Sequence, residues 1–490
     1  MEAIPIVVFW CLIAWAVFQP PHVMLYLFFA SVSFGSLAVV PIAWTGGFTL
    51  VPTTIVGMLL IARQLGNVRG LMRTLDLALQ PSAALLLLLF WVVAGITTLF
   101  MPRFFRGEVL VMSMALSTVM VLEPTSQNLT QFVYMSISVL GTFAFAGLLR
   151  DVAMRQRALN GLCLGAGVVI VTGFLDHASQ YLPLEPILQP LRTANYALNV
   201  SSEILQTRRI VGLMPEASTF GTQVLTFLAM LHFFRRAMPR GPVRHVVVPI
   251  LIGLLLALAA LSTSSTAYVG LCVLAATGVA EWCWRVATSR RNAQLQRGLE
   301  NEFWLSIVAL WLLLLVVITV PRLFAPIEQM FDMMVLQKTR SLSYEERSMW
   351  NHVSWNALLS TYGLGVGLGG TRTSNFAVSL VSSVGLLGAT FYFLFVVQCL
   401  FIRRASRADT QGRMMMSATR WTYLPIFLIG LAIATTPDFG LMNGFLYGLS
   451  MALAHRGPRA VAQPIEVVLS APVALVEPSR IVPGRGIRFD

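Results

Sequence analysis

The chain has 490 residues, 57% of them hydrophobic and only 11% charged, with a formal net charge of +13. A soluble globular protein carries about 25% charged residues, so this chain lacks the polar surface that water requires. The positive charge does not point to nucleic acid, because the arginines sit in short clusters between apolar runs, where they anchor a membrane protein.

Apolar runs long enough to span or nearly span a bilayer, which needs about 20 residues, recur along the chain. They lie near 4–18, 22–44, 46–62, 82–101, 131–149, 158–175, 217–234, 245–262, 266–283, 303–320, 375–401, 420–436 and 439–454. The runs show no strict alternation, and a lipid-facing backbone must satisfy its own hydrogen bonds, so helices rather than strands are expected. The predicted fold is an all-α polytopic transmembrane bundle of about 12–13 spans. The first run has no basic n-region and no small-residue cleavage site, and reads as a retained helix. The cysteines, Cys11, Cys163, Cys272, Cys283 and Cys399, fall within or at the ends of apolar runs and read as small core residues. No metal or cofactor motif is present, and none is expected to be needed.

Orientation follows from five arginine clusters: Arg63, Arg69 and Arg73; Arg150, Arg155 and Arg157; Arg235, Arg236, Arg240 and Arg244; Arg285, Arg290, Arg291 and Arg297; and Arg403, Arg404, Arg407 and Arg413. An even number of spans separates each cluster from the next, so all can lie on the cytoplasmic side. Residues 1–455 then form one transmembrane domain with long outward segments at 102–130, 176–216 and 321–374. The tail 456–490, without helical periodicity, reads as a flexible cytoplasmic extension.

Outward segments of that length are usually functional or disordered. The second carries Arg208 and Arg209, whose guanidinium forks bind phosphates bidentately and stay charged at any working pH. Glu216 stands just before the next span, where a partly desolvated carboxylate suits a general base. A helix N-terminal acid serving the dipole looks the same in sequence. Asp176 and His177, bordering this segment, read as a solvated helix end, and Asp438 as a solvated turn residue. Ser262 to Thr266 marks a tight outward turn between two spans.

In the third segment, Ser343-Tyr344-Glu345-Glu346 matches a capping box, predicting a helix to about Thr361 that Gly363 ends. Arg347, Trp350 and Ser354 share one face of it, and His352 lies about 140° from Arg347. Next comes Gly363-Leu-Gly-Val-Gly-Leu-Gly-Gly370, then Thr371-Arg372-Thr373-Ser374-Asn375. No strand precedes this run, which excludes the dinucleotide reading. A mobile glycine turn can still offer backbone N–H groups to a phosphate; the alternative is a flexible link into the next span.

At these residues the chain resembles the O-antigen polymerase and ligase superfamily of bacterial envelope polysaccharide assembly. The resemblance rests on Arg209-x-x-Gly212-x-x-x-Glu216-x-Ser218, on the Leu261-to-Tyr268 turn, and on Arg347-x-x-Trp350 followed by Tyr362 to Asn375. Ligases of that superfamily carry a histidine beside an asparagine after the glycine run, where this chain has Ser374-Asn375, and many members carry an arginine where it has Ser265. The pattern is more similar to the polymerases. The resemblance implies a multi-pass protein of the bacterial inner membrane. It implies transfer of a growing glycan from one undecaprenyl pyrophosphate to a second undecaprenyl-pyrophosphate-linked oligosaccharide at the periplasmic face. Membrane lipid, a chain-length regulator and a flippase are the implied partners. Glu216, Arg209, Arg347 and Arg372 are the expected catalytic residues. Arg208, Arg340, Trp350, Gly367, Gly369, Gly370 and Asn375 are expected to bind substrate. The alternatives are a ligase acting on lipid A core and, more distantly, a lipid flippase.

Overall fold

The structure is a computed structural model describing residues 3–45, 48–114, 118–194, 198–199, 203–204, 207–289 and 342–454, with scattered positions between 299 and 319. The expected span 303–320 therefore lies largely outside the described residues, and Arg340 and the tail 456–490 lie wholly outside them.

The bundle is all-α, as its sequence predicts. In chain order the principal helices are α1 (Ala3–Val17), α2 (Pro21–Ser31), α3 (Pro52–Leu65), α4 (Val68–Leu79), α5 (Leu85–Phe104), α6 (Ser126–Leu148) and α7 (Val152–Ala178). They continue as α8 (Ala217–Phe234), α9 (Val248–Leu261), α10 (Ser265–Ser289), α11 (Leu342–Ser360), α12 (Phe376–Val397), α13 (Thr410–Ile433) and α14 (Gly440–Ala454). Among the described residues, eight helical segments are long and apolar enough to cross a membrane, and α1, α2, α3 and α14 are shorter apolar helices. Helix α4 differs from these: exposed Leu71, Met72 and Leu75 mix with exposed Arg69 and Arg73, the composition of a helix lying at a membrane interface.

The described arginines of the five clusters gather at one end. Gln64 lies against Gly147, Arg155 pairs with Asp409 at 2.7 Å, and the clusters of α8, α10 and α13 line one cavity. At the opposite end the described parts of the three long connecting segments converge.

Two expectations are corrected. The apolar run 22–44 is not one span: α2 stops at Ser31, and residues 32–41 form a non-helical segment in which Ser33 and residues 36–39 are buried. Ser31, Ser33, Gly35 and Ser36 favour local turns over helix continuation. Here the backbone finds other partners, Ser36 N donating to Leu213 O at 2.9 Å and Thr193 N to Ser36 O at 2.9 Å. Ser31 Oγ donates to Thr53 Oγ1 at 3.4 Å, so α2 ends where α3 begins.

The glycine run is likewise no mobile turn. Its residues 365–369 are buried, and it pairs with a break in α12 at Gly385, where φ is +72°. The carbonyls of Ser382 and Ser383, freed by the break, accept from Val366 N at 2.8 Å and Gly367 N at 2.9 Å, and Leu386 N donates to Gly363 O at 2.9 Å. Irregular backbone inside a bundle requires such internal pairing. A Cβ on Gly385 would lie 2.4 Å from Leu364 O, and one on Gly365 2.6 Å from Gly385 N, so two glycines face each other where no side chain fits.

A small-residue stripe sets the approach of α14 to α6. Gly440, Gly444 and Gly448 recur every fourth residue, as in close-packed membrane helices. A Cβ on Gly444 would lie 3.2 Å from Ser138 O, and one on Gly448 2.6 Å from Phe145 Cβ. Because Ser138 lies mid-way along α6, α14 starts beside its middle.

Candidate active site

The segment leading into α8 is organised by Asp176. The sequence reading of a solvated helix end is corrected: Asp176 is fully buried. Its Oδ2 accepts from Val211 N at 2.7 Å and Gly212 N at 3.0 Å, and Oδ1 from Arg192 Nη2 at 2.7 Å. Arg208 belongs to the same knot, 3.5 Å from Asp176 and 3.1 Å from Glu185. Arg208, expected to bind substrate, thus takes part in the contacts that hold this segment together. Neighbouring residues of an extended chain point to opposite sides, and Arg209 turns the other way, towards Glu216.

Glu216 is the residue before α8, but its side chain makes no helix-capping bond. Instead Oε1 accepts from the hydroxyls of Ser218 and, at 3.5 Å, Thr219. Arg209 is half-buried, and among the described residues its Nε is buried with no hydrogen-bond partner. Burial pushes its guanidinium below the usual range, while Glu216 opposes that shift.

The third segment reaches the same place. Helix α11 begins at Leu342 and ends at Ser360, close to prediction, with Tyr362 and Gly363 in left-handed conformation beyond it. The side chain of Ser343 lies outside the described residues. Trp350 and Ser354 face residues 371–372 as their shared helix face requires. Ser354 Oγ is 2.7 Å from Thr371 Oγ1 and donates to Arg372 O at 3.0 Å. The Arg372 guanidinium lies over the Trp350 ring, 4.3 Å from its centroid. His352, on another face, bonds Asn356 at 3.1 Å.

The first segment, 102–130, supports this arrangement with a hairpin of β1 (Leu110–Met112) and β2 (Val119–Val121). Val109, Val111 and Leu122 pack with Ala357 of α11 and Val366 of the glycine run. Met112 O accepts Arg372 N at 2.9 Å, fixing the arginine's backbone. Burial pushes the Arg372 guanidinium down; Glu216 opposes that shift, Arg347 adds to it by repulsion, and Glu346 opposes it. Glu216 and Arg347 thus act on Arg372 together, and Glu216 also on Arg209.

The remaining expected ligands make contacts within the protein. Gly370 N donates to Gly367 O at 3.1 Å, and Gly369 is packed against Gln127. With Gly367 N already bonded, the run builds the wall that carries Arg372. Asn375 caps α12, its Oδ1 accepting from Ala377 N at 2.9 Å and Val378 N at 3.2 Å.

Beside these charges lies a groove of about 370 Å³ between the start of α10, α11, Ser374–Asn375 and the far end of α13. Arg347, Asn351 and Ser374 line one side; Val269, Val273, Leu428 and Ile429 line the other. The Ser/Thr turn borders it: Thr263, at φ +45°, and Ser264 are buried, and their hydroxyls lack described partners. Tyr268 donates to Ala260 O at 2.9 Å.

No protein-family model matches the chain, and no curated protein sequence matches it. The fold itself defines the class: this is a multi-pass membrane protein.

Proposed function

We propose that the chain is a glycosyltransferase that polymerises undecaprenyl-pyrophosphate-linked oligosaccharide repeat units at the periplasmic face of a bacterial inner membrane. The observation that carries this reading is that Glu216 acts electrostatically on both Arg209 and Arg372, which come from two separate long segments, while Arg347, which also acts on Arg372, lines a groove with one apolar wall. In the proposed step, the hydroxyl oxygen of the acceptor sugar bonds to C1 of the donor glycan. The bond between C1 and the pyrophosphate oxygen breaks, and its electron pair leaves with undecaprenyl pyrophosphate. Glu216 takes the hydroxyl proton on Oε2, the oxygen to which Ser218 and Thr219 do not donate. Arg209, Arg347 and Arg372 stabilise the negative charge that develops on the leaving group, a contribution that preorganised cations make most strongly where water is scarce. Trp350 holds Arg372 in place. The apolar wall takes the polyprenyl chain.

Ser374 at the place where ligases carry histidine favours polymerisation over transfer to lipid A core. The break in α12 resembles those of transporters, but its carbonyls are bonded by the glycine run, which favours a fixed wall over a moving gate. Deleting the protein tests the reading in cells. Single repeat units accumulating on the lipid carrier are the expected outcome. Full-length chains left on the carrier would indicate a ligase, and loss of outward-facing lipid-linked sugar a flippase.

A further inference from the structure

A large cavity lies at the opposite end of the bundle from the candidate active site. It measures about 1220 Å³ between the ends of α8 and α10 and the starts of α7, α9 and α13, and among the described residues eight arginines and one carboxylate, Glu281, line it. That carboxylate is already shared, 2.5 Å from Arg236 and 3.0 Å from Arg285. Anchoring arginines at a membrane surface usually point into water. These surround a pocket whose wall also holds Phe233, Met414, Met416 and the indoles of Trp284 and Trp421, with ring centroids 6.2 Å apart. Arg420, half-buried, donates to Arg403 O, and among the described residues its Nε is buried without a hydrogen-bond partner.

We infer that this cavity binds a membrane lipid whose headgroup carries two phosphates. Guanidiniums clustered around one pocket favour an anionic ligand, and their planar forks match phosphate oxygens. The aromatic and thioether wall suits acyl chains. Basic pockets between membrane helices bind such headgroups in general, and the volume exceeds the range of about 300–1,000 Å³ usual for small ligands. The inference does not depend on the proposed glycosyl transfer.

The test is lipid binding to purified full-length protein in detergent, measured by native mass spectrometry. Cardiolipin should bind at least about tenfold more tightly than phosphatidylcholine, one decade being 1.36 kcal/mol. The triple variant Arg240→Gln/Arg404→Gln/Arg407→Gln changes only exposed residues of the rim, so the fold should survive while the preference is lost. Arg69→Gln/Arg73→Gln, on α4 at the same end but outside the cavity, should keep it. Equal affinity for the two lipids, or equal loss in both variants, would overturn the site. Inorganic pyrophosphate binding as tightly as cardiolipin would show that the ligand is a soluble phosphate compound and overturn the lipid assignment.

Discussion

The guanidinium of Arg372 rests over the indole of Trp350, 4.3 Å from the ring centroid, and this contact joins α11 to the end of the glycine run. A cation–π contact is worth about 0.5–2 kcal/mol, so Trp350→Leu should lower turnover about two- to thirtyfold. Arg372→Lys keeps a cation over the ring but loses the planar fork. If Arg372 grips a pyrophosphate through charge-assisted bonds of about 1.5–3 kcal/mol, lysine should cost about ten- to hundredfold in rate. The same loss is expected for Arg347→Lys. Polymer yield normalised to membrane-inserted protein measures all three. Full yield from both lysine variants would mean that a point charge suffices.

Asp176 anchors the approach to α8 from outside the site. Its carboxylate is fully buried and serves two amides and Arg192, whose side chain is only 6% exposed. Removing one partner of a buried pair costs about 3–5 kcal/mol. Asp176→Asn should therefore lower the thermal unfolding temperature in detergent and reduce activity together. Glu185→Gln, at the exposed edge of the same knot, should change neither strongly.

Much of the bundle was legible in the sequence. The hydropathy runs mark the long helices, and the arginine clusters mark one end of them. The phase of α11 correctly joined Trp350 to Ser354 and set His352 apart. What stayed hidden were arrangements whose cause lies far along the chain. Hydropathy cannot separate α2 from the non-helical segment after it, because both are apolar. Gly385 gives no sign of a break until its partners, some twenty residues earlier, are known. Asp176 reads as a solvated helix end until the amides of Val211 and Gly212 are folded onto it. Arg208 and Arg209 are equivalent in sequence, and only the extended backbone sends one to Asp176 and the other towards Glu216.

The paired break at Gly385 makes a quantitative contrast with Gly107. Both have positive φ, +72° and +78°, but nothing lies within 4 Å of a Cβ on Gly107. Gly107→Ala should cost only the backbone term, about 1–2 kcal/mol. Gly385→Ala must also displace the carbonyl of Leu364, and should lower stability further and impair activity by shifting the wall that carries Arg372. Comparing unfolding temperatures of the two variants separates packing from conformation.

Helix α14 offers a second contrast. Gly448→Ala places a methyl group 2.6 Å from Phe145 Cβ and should force α14 away from α6, whereas Gly430 in α13 has nothing within 4 Å. Gly430→Ala should stabilise by up to about 1 kcal/mol through helix propensity. Opposite signs in thermal unfolding are expected.

The central claim is that Glu216 takes a proton in glycosyl transfer, and reconstitution tests it most directly. Purified protein in proteoliposomes is given polyprenyl-pyrophosphate-linked oligosaccharide, and the lipid-linked products are separated by length. Wild-type protein should yield dimers and longer chains, releasing one polyprenyl pyrophosphate per bond formed. A general base contributes about 10²–10⁴-fold in rate. Glu216→Gln should therefore show almost no product, while unfolding at a temperature close to wild type. Near-normal chain formation by that variant, or none by the wild type on any lipid-linked oligosaccharide supplied, would contradict the account.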